Sequence, residues 1–272
     1  MTGPIAQIVA LTCYLNARRR GIVKGFFPEN STCASCRSIE FLKSQSDAEE
    51  KLEDLPVVAT SPDQWMDDLC AANFSRAILV HMAQNDKKIS DRMSVGFVGG
   101  GGRWILAAQQ GELSSCREAL WRVENRDAPD RKIWRVRYIF VMQRPAVEPD
   151  QPPIAVLMTK LGSVLAAVEG FARGMKLEPF AMRFKAANDV LNAVAVPESL
   201  YCPDLAPEGL LNPEARRLLA ACQTAWVFGG MGSWNDLSFE GDYQSLYTEL
   251  SDQLYAVITQ GLCAAANSTA KP

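Results

Sequence analysis

Four prolines stand within nine residues near the middle of this 272-residue chain, at positions 145, 149, 152 and 153. Proline lacks a backbone N–H and its ring blocks the preceding helical turn, so such a segment can neither continue a helix nor lie in a central strand. We therefore predict a linker over residues 146–153. It divides the chain into an amino-terminal domain over 1–145 and a carboxyl-terminal domain over 154–272.

The residues before this linker carry the alternation of a β-sheet. Trp134, Val136 and Tyr138 are large and apolar, and the residues between them are arginines. Because successive side chains of a strand point to opposite faces, this pattern predicts a strand with one face exposed to solvent at its start. Trp121 and Val123 predict its antiparallel partner, with a polar turn between the two. We expect antiparallel sheet over 95–142, with helices over 4–20 and 62–72 beside it.

The residues after the linker follow the period of helices instead. Leu157, Leu161 and Leu165 recur at every fourth position, so they line one face of a helix. Asn212 precedes a proline and predicts the start of another helix, because an Asn side chain can cap free N–H groups. The predicted helices cover 154–173, 179–194, 213–228 and 242–266. Strands followed by helices indicate an α+β fold, in which an amino-terminal antiparallel sheet with flanking helices precedes a helical region.

Composition and charge exclude several classes of protein. The formal net charge is −3, whereas nucleic-acid-binding proteins usually carry a strongly basic surface. No run approaches the roughly 20 apolar residues that cross a bilayer. The arginines at 18–20 follow the first apolar run, which is the reverse of a secretory signal. We therefore expect a cytoplasmic protein with eight reduced cysteines, no nucleic-acid partner and no membrane.

The sequence Gly-Gly-x-Gly-x-Trp occurs twice, at residues 99–104 and 229–234. Glycine loses more backbone entropy on folding than any other residue, so such clusters mark places that need left-handed or closely approached backbone. We take the two loops as candidate binding segments. They comprise Gly99, Gly100, Gly101, Gly102 and Trp104 in the first loop, and Gly229, Gly230, Gly232, Ser233, Trp234, Asn235 and Asp236 in the second.

Each loop also has a structural interpretation. The first lacks the Gly-Lys-Ser/Thr ending of a phosphate loop, and the residues after Trp104 resemble a strand rather than a helix. It would then be a glycine-rich strand or bulge that a second backbone approaches, with Trp104 packed over it. In the second loop, the polar groups beside Trp234 are typical of a recognition surface. Alternatively, Trp234 packs into the seam between the two domains.

Cys33 and Cys36 form a Cys-x-x-Cys motif. Two thiolates at this spacing can chelate zinc, which makes both residues candidate metal ligands, or they can form a redox disulfide. A structural zinc site needs four ligands, and Cys13, Cys70 and His81 are the nearest residues that could complete it. Two ordinary thiols, one or both buried, are the alternative interpretation.

His81 is the only histidine of the chain and lies in a predicted buried strand over 77–82. A polar loop follows this strand, and catalytic groups are often carried at such strand ends. With Asp86 or Asp91 to orient its ring, His81 could act as a general base. A lone histidine is more often a hydrogen-bonded structural residue.

No set of acid, base and nucleophile emerges from these residues. We therefore predict a cytoplasmic binding protein whose partner is another protein, with an exposed aromatic patch that includes Trp234 and Trp104. The alternative is an enzyme with a site between the two domains. There, His81 and a carboxylate, or a metal held by the Cys-x-x-Cys pair, would meet a glycine loop in a cleft. A zinc-stabilised structural module without chemistry of its own is the third hypothesis.

Overall fold

The computed structural model describes residues 1–23, 25–43, 55–84, 89–146, 148–194, 196 and 200–270. Its helices are α1 (Gly3–Arg19), α2 (Pro62–Ala71), α3 (Asp91–Ser94), α4 (Ile154–Gly174), α5 (Glu178–Asn192), α6 (Pro213–Thr224) and α7 (Asp242–Ser268). Its strands are β1 (Cys36–Leu42), β2 (Val57–Ala59), β3 (Arg76–Met82), β4 (Arg103–Gln110), β5 (Leu113–Val123) and β6 (Trp134–Pro145). Short 3-10 turns cover Ser31–Cys33 and Trp234–Asp236. These elements confirm the predicted α+β class and the helical carboxyl-terminal region.

The strands form one mixed sheet in the order β2-β1-β6-β5-β4-β3. β1 runs parallel to β6, and the other neighbouring pairs are antiparallel. Trp121 is opposite Val136 and Val123 is opposite Trp134, so the predicted β5–β6 pairing is confirmed. The predicted sheet over 95–142 starts too early, because β4 begins only at Arg103.

Capping side chains start two helices where the sequence predicts them. The Ser61 hydroxyl oxygen accepts a hydrogen bond from the Gln64 N–H at 3.2 Å, at the start of α2. Asn212 Oδ1 accepts one from the Ala215 N–H at 2.8 Å, at the start of α6. Each cap satisfies a backbone donor that has no partner within its own helix.

α6 ends at Thr224, four residues before the predicted end at residue 228. The Trp226 indole N–H donates to the Phe228 carbonyl at 2.6 Å, which holds these residues in a turn outside the helix. The ring of Phe228 packs edge-on against Tyr255 of α7, with ring centroids 5.3 Å apart. Packing against α7 therefore ends α6 and directs the chain into the second glycine loop.

Most buried side chains form one large apolar cluster that includes residues from both sides of the proline-rich segment, and a smaller second cluster surrounds Ile78 and Ile105. Leu11 of α1, Leu79 of β3 and Leu262 of α7 all belong to it and are fully buried. Helix α1 contacts the sheet as well as α7. The predicted domains over 1–145 and 154–272 would each fold independently of the other. A shared buried cluster does not test this, so the division stays a prediction.

Strand β3 forms one edge of the sheet, so its outward backbone groups have no strand partner. Asn16 of α1 takes that place beside Ala77: its Oδ1 accepts from the Ala77 N–H at 2.7 Å, and its Nδ2 donates to the Ala77 carbonyl at 3.0 Å. Asn267 of α7 makes the same pair of bonds with Leu79, at 2.7 and 3.0 Å. Two buried amides from opposite ends of the chain thus close this edge.

Helix α4 is long and apolar enough to cross a membrane, by length and composition alone. Composition had led us to expect no such segment. Core helices of folded proteins pass the same criterion, and α4 buries Leu157, Leu161 and Leu165 completely while packing on α5 and α7. Its predicted apolar face is therefore used within the protein.

Candidate functional site

The two Gly-Trp loops, which lie far apart in the sequence, meet in the fold. A Cβ atom added to Gly96 would lie 2.5 Å from the Gly229 carbonyl oxygen and 2.9 Å from the Gly230 nitrogen. Real Cβ atoms do not approach backbone atoms so closely, so glycine at position 96 allows the second loop to pack on the first. The predicted approach of another backbone to the first loop is present, and it occurs just before the Gly-Gly-x-Gly-x-Trp sequence.

Polar contacts of Arg92, which lies in α3 shortly before the first loop, connect α3 to the second loop and to α7. Arg92 is 5% exposed, and its Nε donates to Asp252 at 2.8 Å while its Nη1 donates to Asn235 Oδ1 at 3.2 Å. Asn235 Nδ2 donates back to the Arg92 carbonyl at 2.7 Å. The Arg92 guanidinium also lies over the Tyr247 ring, 5.7 Å from its centroid. We call Arg92, Asn235 and Asp252 the loop latch.

The glycines of the first loop make a turn that L-residues with side chains rarely adopt. Gly99, Gly101 and Gly102 have φ angles of +82°, +89° and +80°. The Gly101 carbonyl accepts hydrogen bonds from the Trp104 indole at 3.2 Å and from the Tyr255 hydroxyl at 2.7 Å. This carbonyl therefore fixes the loop to β4 and to α7 at once.

Both tryptophans of the repeated motif are buried, so the expectation that they form an exposed patch was wrong. Trp104 is 8% exposed and Trp234 is 0% exposed. The Trp234 indole donates to the Ser251 hydroxyl at 2.7 Å, and the rings of Phe180 and Phe184 pack edge-on against it. Each indole is buried and fixes its loop to the protein interior, as the structural interpretation of that loop predicts.

Besides the Asp236 carboxylate, the loop segments expose aliphatic and phenyl side chains. Phe97 is 76% exposed, Val98 is 54% exposed, Met231 is fully exposed, and Met93 of the preceding helix α3 is 41% exposed. Phe97 and Met231 directly follow Gly96 and Gly230, whose backbones touch, so the loop tips are neighbours in space. We call Met93, Phe97, Val98 and Met231 the paired-loop surface. Sequence reasoning missed these residues, although large apolar side chains inside glycine-rich loops were the available signal.

A cleft of about 740 Å³ opens beside the loops, between β3, the proline-rich segment and α7. Its lining includes a mixture of charged and polar side chains: His81, Asp91, Arg144, Glu148, Asp150 and Tyr255. The alternative hypothesis of an enzyme expects a site between the two halves of the chain, and that hypothesis stays a prediction.

His81 lies in this cleft as a loop anchor. Its Nε2 is 3.1 Å from the Gly101 carbonyl oxygen, and because a carbonyl only accepts, Nε2 carries the proton. Burial lowers the pKa of His81 below its ordinary value of 6.5, while the Gly101 hydrogen bond and the charge of Asp91 oppose that shift. A Cβ atom on Gly102 would lie 2.3 Å from His81 Nε2 and 2.8 Å from Asp91 Oδ2, so glycine is needed for this packing as well.

The carboxylate that would orient His81 is engaged elsewhere. Both oxygens of Asp91 accept from the Gln84 N–H, at 3.3 and 3.1 Å. In the part of the chain that the structure describes, no hydrogen bond joins Asp91 to His81. Asp86, the other predicted partner, lies outside the described residues. The structure thus brings His81 and Asp91 together without the hydrogen bond by which a carboxylate orients a general base.

Cys33 and Cys36 are buried just before and at the start of β1, which lies toward the opposite edge of the sheet from β3, and neither lines this cleft. Gln7 Nε2 donates to the Cys36 thiol at 3.4 Å and has a weak contact of 4.0 Å with the Cys33 thiol. Burial raises the pKa of Cys36 to about 11 and raises that of Cys33 above its ordinary value of 9.0. Both thiols are therefore protonated at neutral pH.

The described residues bring no further metal ligand to these two cysteines. Among residues 1–23, 25–43, 55–84, 89–146, 148–194, 196 and 200–270, no three or more His, Cys, Asp or Glu side chains gather closely enough to hold a metal ion. Two ligands fall short of the four that structural zinc requires. The surroundings of the pair fit the interpretation as ordinary buried thiols.

Comparisons with known proteins give no independent guide to function: no protein-family model, curated protein or solved structure matches this chain.

Proposed function

We propose that this chain is a binding protein that contacts a protein partner through the paired-loop surface. The observation that carries the proposal is the exposure of Phe97, Val98 and Met231 at the tips of two loops that are fixed from beneath. Burial of apolar surface is the main favourable contribution to most protein association. Exposed apolar side chains grouped on one surface typically mark such contacts, and here the loop backbones that carry Phe97 and Met231 lie close together.

The fixed geometry of the loops supports a binding role. The loop latch, the Gly101 carbonyl and the two buried indoles all hold the loops before any partner arrives. A surface ordered in advance loses less conformational entropy when it binds. Apolar tips on loops of this kind would serve as anchors that fill pockets on the partner.

The hydrogen bonds of His81 and Asp91 favour a binding function over acid–base catalysis. His81 Nε2 donates to a structural carbonyl, and Asp91 accepts from a backbone N–H. Catalysis in the cleft beside them stays a prediction of the sequence. The proposed location is the cytoplasm, which the eight unpaired cysteines support, because free thiols persist in a reducing compartment.

Affinity purification with matched variants tests this proposal. Wild-type protein, the double variant Phe97→Ser/Met231→Ser and the control Val194→Ser/Tyr201→Ser would each be immobilised and exposed to an extract of the source cells. Val194 and Tyr201 are also highly exposed apolar residues, at 99% and 83%, but lie elsewhere on the surface. We expect at least one protein that the wild type and the control both retain, and we expect the loop variant to retain at most about one tenth of that amount.

Identical sets of retained proteins on all three supports would contradict the proposal. Far-UV circular dichroism and thermal unfolding of each variant would first establish that all three are folded. Because the substituted side chains are exposed, we expect unfolding free energies within about 0.5 kcal/mol of the wild type.

A further inference from the structure

Another cavity, of about 770 Å³, shares no lining residue with the cleft beside His81 or with the paired-loop surface. Its walls include Tyr14 of α1, the segment over 200–211 and one face of α6. Most of the side chains that line it are apolar, among them Leu205 and Leu219. Its volume falls in the range of roughly 300–1,000 Å³ that is usual for small-molecule sites. The shape and lining therefore fit a small apolar ligand.

Hydrogen bonds hold the walls of this cavity in place. Gln223 of α6 accepts from the Cys202 N–H at 2.6 Å and donates to the Cys202 carbonyl at 3.1 Å. The Asp204 carboxylate accepts from the Ser31 N–H at 2.8 Å and from the Ser31 hydroxyl. The segment that carries Cys202 and Asp204 is thereby fixed to α6 and to the turn that begins at Ser31, so protein contacts alone keep the cavity open. A site formed in advance loses less conformational entropy when it binds a ligand.

The charged side chains at this cavity leave one guanidinium without a carboxylate partner. Arg217 of α6 is partly buried, and its Nη1 donates to the Ala193 carbonyl at a long 3.4 Å. Among the residues that the structure describes, Arg217 forms no ion pair, and its Nε is buried without a hydrogen-bond acceptor. Asp204 is engaged as described above, and Glu208 and Arg216 are exposed. Because arginine stays charged in proteins and an unpaired charge is costly to remove from water, an anion beside Arg217 would be stabilising.

We propose that this cavity binds an apolar small molecule that carries one anionic group, such as a medium-chain carboxylate. The alkyl part would lie against Leu205 and Leu219, and the carboxylate would accept hydrogen bonds from Arg217. Hydrogen bonds of this charge-assisted kind are roughly twice as strong as those between neutral groups. The site goes beyond the proposed function and does not depend on it, because it uses no residue of the paired-loop surface.

Isothermal titration calorimetry of the wild-type protein tests the charge preference. The probes are octanoate, octanol and octylamine, which share one alkyl chain and carry a negative, a neutral and a positive head group at neutral pH. We expect octanoate to bind at least about tenfold more tightly than either of the others, because only its head group pairs with a guanidinium. Octanol or octylamine that binds as tightly as octanoate, or an absence of octanoate binding, would overturn the proposal.

Three variants and a matched control then locate the octanoate site. Arg217→Gln removes the charge and should weaken octanoate binding about tenfold, and Arg217→Lys should restore part of the loss. Ala206→Phe places a ring in the cavity that Ala206 lines, so it should abolish binding. The control is Arg126→Gln, because Arg126 is an exposed arginine in the turn between β5 and β6. We expect it to bind octanoate as the wild type does, and equal binding by all four proteins would contradict the proposed site.

The paired-loop surface is the competing place for an alkyl chain, since its apolar side chains are exposed. The loop variant Phe97→Ser/Met231→Ser should bind octanoate normally. Loss of binding in this variant, together with normal binding by Arg217→Gln and Ala206→Phe, would assign octanoate to the paired-loop surface and overturn the cavity proposal alone. Far-UV circular dichroism would establish that each variant is folded, and the comparison of the probes on the wild type decides the charge preference without any variant.

Discussion

The Gly101 carbonyl oxygen receives three hydrogen-bond donors, from His81, Trp104 and Tyr255. A carbonyl has two lone pairs, so this atom is saturated, and each donor ties a different element to the first loop. His81 comes from β3, Trp104 from β4 and Tyr255 from α7. The single histidine of the chain therefore acts in the described structure as one support of a turn.

Substitution of His81 by Gln should remove a pH dependence of stability while keeping a donor at this position. Burial lowers the pKa of His81 below 6.5 in the folded protein, so the unfolded chain takes up the proton first as the pH falls. The unfolded state then binds more protons, and the wild type loses stability as the pH falls below about 6.5. The measurement is urea unfolding of the wild type and His81→Gln between about pH 7.5 and 5.5.

The difference between the two unfolding free energies is the quantity to follow, because groups common to both proteins cancel in it. We expect the wild type to lose stability relative to His81→Gln across this interval. A difference that stays constant, or that grows in favour of the wild type at low pH, would contradict a buried neutral histidine at this site.

The sequence identified His81 and both tryptophans as notable residues but could not give their partners. The Gly101 carbonyl is 20 positions from His81, and Tyr255 is 154 positions from Gly101, so only the folded chain brings these groups together. Burial of the indoles was likewise decided by α5 and α7, which supply the rings and hydroxyl groups around Trp234.

Among the elements, those with a repeating apolar pattern were predicted well, because the pattern is local. The leucine spacing predicted α4 as a helix, the alternation predicted β6 as a strand, and both elements have approximately the predicted bounds. The four residues wrongly added to α6 are apolar and have no local signal against a helix; they leave it because Phe228 packs on α7. The meeting of the two glycine loops had no local signal either, since it depends on how the sheet and the helices pack.

Gly96→Ala should separate or strain the paired loops, whereas Gly230→Ala should not. The new Cβ at position 96 would lie 2.5 Å from the Gly229 carbonyl oxygen, and both contacting groups are backbone. We expect this variant to lose about 1–3 kcal/mol of unfolding free energy, as for overpacking in a filled core. Nothing lies within 4 Å of a Cβ at position 230, so Gly230→Ala should change stability by less than about 0.5 kcal/mol. Chemical denaturation of both variants provides the comparison, and equal stabilities would contradict the close approach of the loops.

For the whole molecule, α7 connects the candidate surface to the sheet. Near its middle it carries Asp252 of the loop latch and Tyr255, and near its end Asn267 pairs with the edge strand β3. The described residues of the predicted linker over 146–153 lack regular structure as expected, although Pro145 is still the last residue of the central strand β6. The contacts of Asn16 and Asn267 with β3 were not predicted, because the sequence of an apolar helix does not show which distant backbone group an Asn side chain binds.

Asn267→Ala should therefore destabilise the entire protein. It removes both partners of the buried Leu79 backbone groups, and each buried group left unpaired costs about 1–3 kcal/mol. We expect a loss of about 2–4 kcal/mol in unfolding free energy, against less than about 0.5 kcal/mol for Asn192→Ala, whose side chain is exposed at the end of α5.

The same experiment tests whether the two halves fold as one unit. Tryptophan fluorescence and far-UV circular dichroism should give coincident urea curves in the wild type, because one buried cluster spans the proline-rich segment. In Asn267→Ala both curves should move together to lower urea. Curves that separate would instead support two independent domains over 1–145 and 154–272. In that case the paired-loop surface, which takes Phe97 from one half and Met231 from the other, would depend on docking between domains and would be lost before the helices unfold.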